Sequence, residues 1–162
     1  MRYLTVILVL FLISCSKENN DFSTVDKYYK VISLKTINGQ LIDLNNDGQS
    51  NSNLIDELTN FSKNPCDLEV KYINNEKLFS FYIPKQYIFD GFVEFAQDGF
   101  GLMTEEEIFE NLEIDDENYF IDFRKIAPNQ YKLLLLKKYY DFSSNEFNDF
   151  ELEIIYEEGL DI

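Results

Sequence analysis

Residues 146–157 read EFNDFELEIIYE, and this stretch decides the fold. Its apolar residues at 150, 152, 154 and 156 alternate with glutamates at 151 and 153. Successive side chains of a β-strand point to opposite faces, so this period of two predicts a strand with one buried face and one polar face.

The same alternation recurs along most of the chain, in short segments separated by turn residues. The predicted strands are 28–37, 67–73, 77–83, 92–96, 100–103, 118–125, 130–140 and 146–157, and the predicted turns are Asn38-Gly39, Asn74-Asn75, Asp98-Gly99 and Pro128-Asn129. Asp-Gly between two apolar runs is typical of a tight hairpin. Seven or eight strands with short turns predict a mainly β domain over residues 27–162, an antiparallel β-barrel or sandwich.

Two short helices are expected to interrupt the strands. Leu54 to Phe61 has apolar residues at helical spacing, and Thr104 with Glu107 forms a capping box at the start of EEEIFENL. The chain also contains 15 Phe and 11 Tyr, and we expect most of these rings to fill the core.

The N-terminal residues have the pattern of a secretory signal. Arg2 precedes an apolar run from Tyr3 to Ile13, which is shorter than the roughly 20 residues needed to span a bilayer. The run ends in Leu12-Ile13-Ser14-Cys15, which resembles the lipobox of bacterial lipoproteins. The resemblance implies that residues 1–14 are a cleaved signal peptide and that Cys15 carries acyl chains such as palmitate. Residues 15–26 would then be the lipidated cysteine and a polar tether.

The residues after Cys15 indicate where in the cell envelope the protein is located. Ser16-Lys17-Glu18 and Asp21 resemble the export tag of Bacteroidota lipoproteins, which directs them to the outer face of the outer membrane. The alternative is a plain polar tether. We therefore expect a protein anchored in the outer membrane through Cys15, at its periplasmic face or at the cell surface.

Composition excludes several classes of function. Without residues 1–14 the chain has 13 Lys+Arg and 30 Asp+Glu, a formal charge of −17, which disfavours nucleic acid as a partner. No histidine is present, so Ser-His and Cys-His nucleophile pairs and histidine-ligated zinc are excluded. A carboxylate pair remains chemically conceivable, but no catalytic residue is assigned and we expect a monomer that is not an enzyme. Cys66, left alone once Cys15 is acylated, is read as a small buried residue.

Residues 43–54, DLNNDGQSNSNL, resemble the first half of an EF-hand or dockerin calcium loop. The resemblance assigns oxygen ligands to Asp43, Asn45 and Asp47 and a backbone carbonyl to Gln49. The acid that normally closes such a loop is replaced by Leu54. The nearest carboxylates are Asp56 and Glu57 on the following helix, and Glu57 could close the site if the loop is wider. The alternatives are a weak structural Ca²⁺ site and a polar turn that binds no ion.

The chain as a whole is similar to small Bacteroidota lipoproteins with a lipobox, a DLNxDG segment and a lipocalin-like β-domain. The strongly matching part covers roughly residues 1–60. The resemblance implies an envelope location and a ligand-holding barrel, and no known activity. Two functions are expected from the residues. The first is a non-catalytic binding module whose aromatic side chains line a cavity for a hydrophobic small ligand or form a recognition face. The second is a structural, protein-interacting component without a small ligand, whose acidic surface binds a basic envelope protein. An open interior cavity would favour the first, and a filled core with an exposed apolar patch the second.

Overall fold

The computed structural model describes residues 27–58, 67–110, 113–115 and 118–159. The predicted signal peptide, Cys15, the tether and Cys66 lie outside the described residues. The strands are β1 Lys27–Thr36, β2 Asp67–Ile73, β3 Glu76–Phe89, β4 Phe92–Thr104, β5 Glu113–Asp115, β6 Asn118–Ala127, β7 Gln130–Asp141 and β8 Glu146–Glu158. Two short α-helices are described, α1 at Leu54–Glu57 and α2 at Glu105–Glu110, and a 3-10 turn at Ile37–Gly39 follows β1.

All eight strands form one antiparallel sheet in the order β4-β3-β2-β1-β8-β7-β6-β5. The chain meanders outward from β1 to β4, passes through α2, and returns from β5 to β8, which pairs with β1. Because α2 directly joins the two end strands, the ends of the sheet lie near each other, and the sheet is curled into an open barrel. The prediction of a mainly antiparallel β-fold with short helices is confirmed.

The concave side of the sheet is filled by aromatic rings. Phe79 and Phe81 of β3 pack edge-to-face on Phe123 of β6, with ring centroids 4.9 and 5.0 Å apart. Phe120 contacts Phe81 at 5.3 Å, and Tyr131 stacks on Phe123 at 5.3 Å. Edge-to-face and offset-stacked pairs are the favoured geometries for aromatic rings. These contacts join strands that are far apart in the sheet, so they hold it in its curled shape.

The prediction of a hairpin turn at Asp98-Gly99 is wrong. The turn lies at Asp90-Gly91, where both residues have positive φ, 44° and 87°. β4 runs without a break through Asp98 and Gly99, and the ring of Tyr82 on β3 lies over Gly99. A ring that covers a strand glycine supplies the packing that the glycine lacks, so this Asp-Gly pair is part of a strand.

The predicted helices are present, but the first is shorter in the described part. α1 ends at Glu57, and the remaining predicted residues from 59 to 61 are outside the description. α2 has the predicted capping box: the Glu107 N–H donates to Thr104 Oγ1 at 3.1 Å, and the Thr104 N–H donates to Glu107 Oε2 at 2.7 Å.

Replacing a central ring should destabilise the barrel strongly. We expect Phe81→Ala to lower the free energy of unfolding by about 3–5 kcal/mol, because it leaves a cavity among four packed rings. Phe92→Ala is the matched control, since Phe92 is 76% exposed and should change stability by no more than about 0.5 kcal/mol. Urea denaturation of the two variants measures both values, and equal losses would contradict the assignment of the core.

Candidate functional site

The predicted calcium loop forms a small projection between β1 and α1. Ile42 and Asn51 close it with two backbone hydrogen bonds of 3.0 Å each. Asn46 and Gly48 turn the chain with φ values of 62° and 80°. Residues 43–50 therefore form a short polar loop held at its base by the backbone, which we call the acidic loop.

The three predicted ligands that are carboxylates come together in this loop. Oxygen atoms of Asp43, Asp47 and Glu57 lie within 4.8 Å of one another. The Asn45 amide instead donates to Asp47 Oδ2 at 3.2 Å, and the exposed Gln49 donates its backbone N–H to Asp47 Oδ1 at 2.8 Å. Glu57 thus reaches the loop from α1, as proposed for the missing closing acid, while the two amide residues support Asp47.

Two of the three carboxylates are buried and accept hydrogen bonds from neutral groups. Asp43 accepts the backbone N–H groups of Asn46 at 2.8 Å and Gly48 at 3.0 Å. Glu57 is 1% exposed and accepts the Leu44 N–H at 3.0 Å and the Asn51 side-chain amide. These bonds orient both carboxylates toward the loop without neutralising them.

The electrostatic environment of Glu57 disfavours its charge. Burial raises the pKa of Glu57, and the hydrogen bonds from Asn51 and Leu44 oppose this rise. The neighbouring carboxylates of Asp47 and Asp43 raise the pKa further. Charged oxygen ligands that repel one another are the donor set that a hard divalent cation stabilises, so the residues fit Ca²⁺ better than a softer metal.

Asp141, at the end of β7, is a site residue that the sequence did not reveal. Its Oδ1 accepts the Asp43 N–H at 3.1 Å and the Ser143 N–H at 3.0 Å, and the Phe142 N–H donates back to the Asp43 carbonyl at 2.9 Å. These bonds dock the turn after β7 against the acidic loop. No local pattern marks Asp141, because its main partner is 98 residues away.

Gln86 of β3 is the second residue that was missed. Its side-chain amide donates to the carbonyls of Leu44 at 2.8 Å and Tyr140 at 3.1 Å, and it accepts the Tyr140 N–H at 2.8 Å. The Tyr139 hydroxyl donates to the Pro84 carbonyl at 2.7 Å. The β3–β4 hairpin is thereby attached to β7 and to the acidic loop at the same end of the barrel.

Beyond these attachments the hairpin ends in exposed apolar side chains. Tyr87, Phe89 and Phe92 share one face, and the parallel rings of Tyr87 and Phe89 have centroids 6.1 Å apart. Phe89 is 58% exposed and Phe92 76% exposed, and Ile88 on the opposite face is also exposed. We call residues Tyr87, Ile88, Phe89 and Phe92 the aromatic tip.

The fold and site define an open antiparallel β-barrel with an acidic loop and an aromatic hairpin at one end. No protein-family model matches the chain, and neither a curated protein nor a solved structure is significantly similar to it. Among the described residues, no helix has the length and apolar character required to cross a membrane.

Replacing Asp141 should destabilise the end of the barrel in a pH-dependent way. Burial raises the pKa of Asp141, but the hydrogen bonds from Ser143 and the Asp43 N–H outweigh burial and hold this pKa below its ordinary value. A carboxylate with a lowered pKa stabilises the fold above its ordinary pKa, and this stabilisation is lost as the pH falls through the folded-state value. We therefore expect Asp141→Asn to lower stability by about 1.5–3 kcal/mol at pH 7 and by progressively less below about pH 4.

Urea denaturation of the wild type and Asp141→Asn at several pH values measures this difference. Asp149→Asn on β8 is the matched control, because Asp149 is exposed and its replacement should have a small effect at every pH. A constant difference between Asp141→Asn and the wild type from pH 7 to pH 3 would contradict the role of the Asp141 charge.

Proposed function

We propose that this protein is a lipid-anchored lipoprotein of the outer membrane and a non-catalytic, protein-interacting component that works through its surface. The observation that carries the proposal is the dense aromatic packing of the interior among the described residues. Phe79, Phe81, Phe120 and Phe123 interlock at the centre of the curled sheet, where a barrel that carries a hydrophobic small ligand keeps an open cavity. The interaction function therefore has more support than the small-ligand function.

The exposed apolar side chains support the same proposal. A soluble monomer rarely exposes several large apolar residues together, and such patches commonly mark sites of interaction. The aromatic tip groups four of them at the end of one hairpin. The four residues are neither part of the buried core nor among the hydrophobic residues packed against it, so interaction is the function that accounts for their exposure.

The direction of the strands fits an anchor at Cys15. Lys27, the first residue of β1, is opposite Val70, which is opposite Phe79 of β3. From the level of Phe79, β3 continues for ten residues to Phe89, about 33 Å at 3.3 Å per residue. β1 and β3 run in the same direction, so Lys27, the first described residue after the predicted tether, lies toward the end opposite the aromatic tip. An anchor on that side would hold the tip away from the membrane.

The anchor is tested by labelling cells that produce the protein with a palmitate analogue. We expect the wild type to incorporate the label and to fractionate with membranes. Cys15→Ser should incorporate none, because the thiol that carries the diacylglycerol is absent. Cys66→Ser is the matched control and should be labelled like the wild type. Label retained by Cys15→Ser would refute the lipoprotein assignment.

We also propose that the acidic loop holds a weak structural Ca²⁺ ion. The convergence of Asp43, Asp47 and Glu57 supports this, together with the mutual repulsion that raises the pKa of Glu57. For an affinity at the weak end of extracellular sites, a Kd of about 1 mM, 10 mM Ca²⁺ should stabilise the fold by about 1.4 kcal/mol. This corresponds to a rise in Tm of about 3–6 °C for a domain of this size.

Thermal denaturation with and without Ca²⁺ checks this expectation. The double variant Asp43→Ala with Asp47→Ala should lose the rise in Tm, and Asp149→Ala, which removes an exposed carboxylate on β8, should keep it. If Ca²⁺ does not raise the Tm of the wild type, or raises that of the double variant equally, the loop is a polar turn that does not bind Ca²⁺.

A further inference from the structure

We propose that the end of the barrel opposite the aromatic tip binds a phosphate group between the side chains of Lys77, Lys125 and Tyr131. We call these three residues the lysine–tyrosine site. The proposal goes beyond the protein-interacting function, because it assigns an anionic ligand to another part of the molecule. It uses no residue of the aromatic tip or of the acidic loop.

The first observation is that three strands bring these side chains together. Lys77 is the second residue of β3, Lys125 lies near the end of β6, and Tyr131 is the second residue of β7. β6 and β7 pair with Lys125 opposite Tyr131. The Nζ atoms of Lys77 and Lys125 lie 4.7 and 5.9 Å from the centroid of the Tyr131 ring. Two ammonium groups from different strands therefore lie around one phenol.

The packed core holds these groups in position. The Lys77 ammonium also lies over the ring of Phe79, 4.6 Å from its centroid, and donates a hydrogen bond to the Tyr131 hydroxyl. A cation over an aromatic face is attracted by the quadrupole of the ring. The Tyr131 ring stacks on Phe123 and meets Tyr29 edge-to-face at 5.1 Å. The site is therefore built on rings that are already fixed by the fold.

The second observation is that the site presents donors without a matching acceptor. An ammonium group only donates hydrogen bonds, so the Tyr131 hydroxyl accepts from Lys77 and keeps its own proton for another acceptor. Tyr131 is 2% exposed, and no acceptor for this proton is found in the described part of the chain. Burial raises the pKa of Tyr131, so the phenol stays protonated at neutral pH and remains a donor.

The third observation is that the positive charge of the site is not neutralised. Within the described ranges neither lysine of the site forms an ion pair, although the chain has 30 acidic and 14 basic residues. Besides burial, the charges of Glu105 and Glu158 raise the pKa of Tyr131. Glu158 is already paired with Lys27 at 2.7 Å, and Glu105 is exposed at the start of α2. An added anion would supply the missing negative charge.

A phosphate group matches this set of donors. Its several oxygen atoms can accept from two ammonium groups and a phenol together, and lysine binds phosphate as a point charge. The phosphate comes either from a lipid headgroup or from a soluble phosphate compound. The lipid source rests on the proposed anchor at Cys15: Lys27, the first described residue after the predicted tether, lies toward the same end of the barrel, so the site would face the membrane.

The test measures binding of radiolabelled inorganic phosphate to the full chain by equilibrium dialysis. The protein is kept in micelles of dodecyl maltoside, a detergent without phosphate, whether or not it is acylated. We expect saturable binding of one phosphate per chain, weakened by sodium chloride because salt screens the lysines. Acetate should compete about tenfold more weakly, because its smaller charge and two oxygen atoms satisfy fewer donors.

Substitutions separate this site from general charge attraction. Lys125→Gln and Tyr131→Phe should each weaken phosphate binding about tenfold, as expected for loss of one charge-assisted hydrogen bond. Lys125→Arg keeps the charge and should retain binding. Lys138→Gln is the matched control, because it removes the same charge from another exposed position and should leave affinity unchanged. Lys125 is exposed, so Lys125→Gln should also leave the Tm unchanged, which shows that lost binding is not lost folding.

The proposal fails if phosphate does not bind saturably, if acetate competes equally, or if either Lys125→Gln or Tyr131→Phe binds like the wild type. Dihexanoyl phosphatidate and glycerol 3-phosphate, used as competitors, distinguish the two sources. Displacement at a lower concentration of the lipid assigns the site to a headgroup, and displacement at an equal or higher concentration assigns it to a soluble compound. Palmitate labelling is independent of these measurements, so failure of the anchor and failure of the phosphate site are distinguishable.

Discussion

The edge-to-face packing of Phe79 and Phe81 against Phe123 is the interaction on which the rest of the structure depends. The sheet is a single meander whose end strands, β4 and β5, are joined through α2 and are not paired with each other among the described residues. Backbone hydrogen bonding alone therefore does not close the barrel. The rings of β3 and β6 meet across the interior at 4.9 and 5.0 Å and set the curvature. That curvature brings β3, β7 and the acidic loop to the same end of the molecule.

The period-two pattern was sufficient to predict most strands, because each strand has one buried and one exposed face. It failed at the β3–β4 hairpin, where Asp90-Gly91 and Asp98-Gly99 are both acceptable turn sequences. The choice between them depends on the ring of Tyr82, which covers Gly99 from the neighbouring strand. A contact between strands is absent from any local pattern, so the sequence alone could not exclude the wrong turn.

The residues of the candidate site also fall into those that a local sequence pattern predicts and those that depend on contacts between distant segments. Asp43 and Asp47 were predictable because their spacing is local. Glu57 was one of two candidates, with Asp56, and only the structure shows that the Glu57 carboxylate is the one near Asp43 and Asp47. Asp141 and Gln86 were not predictable, since their hydrogen bonds join segments 98 and 42–54 residues apart in the chain. Asp141 and Gln86 attach the acidic loop to other segments, and these contacts can form only once the sheet has curled.

The attachments of the hairpin connect the acidic loop to the aromatic tip. A two-stranded hairpin is at best marginally stable in water by itself, so residues 82–97 depend on the barrel for their position. Gln86 provides that support through the carbonyls of Leu44 and Tyr140, and Leu44 also donates its N–H to Glu57. A cation bound between Asp43, Asp47 and Glu57 would hold Leu44 in place and, through Gln86, the base of the hairpin. A cation in the acidic loop would then also restrict the movement of the aromatic tip, because Leu44 is hydrogen-bonded both to Glu57 and to Gln86.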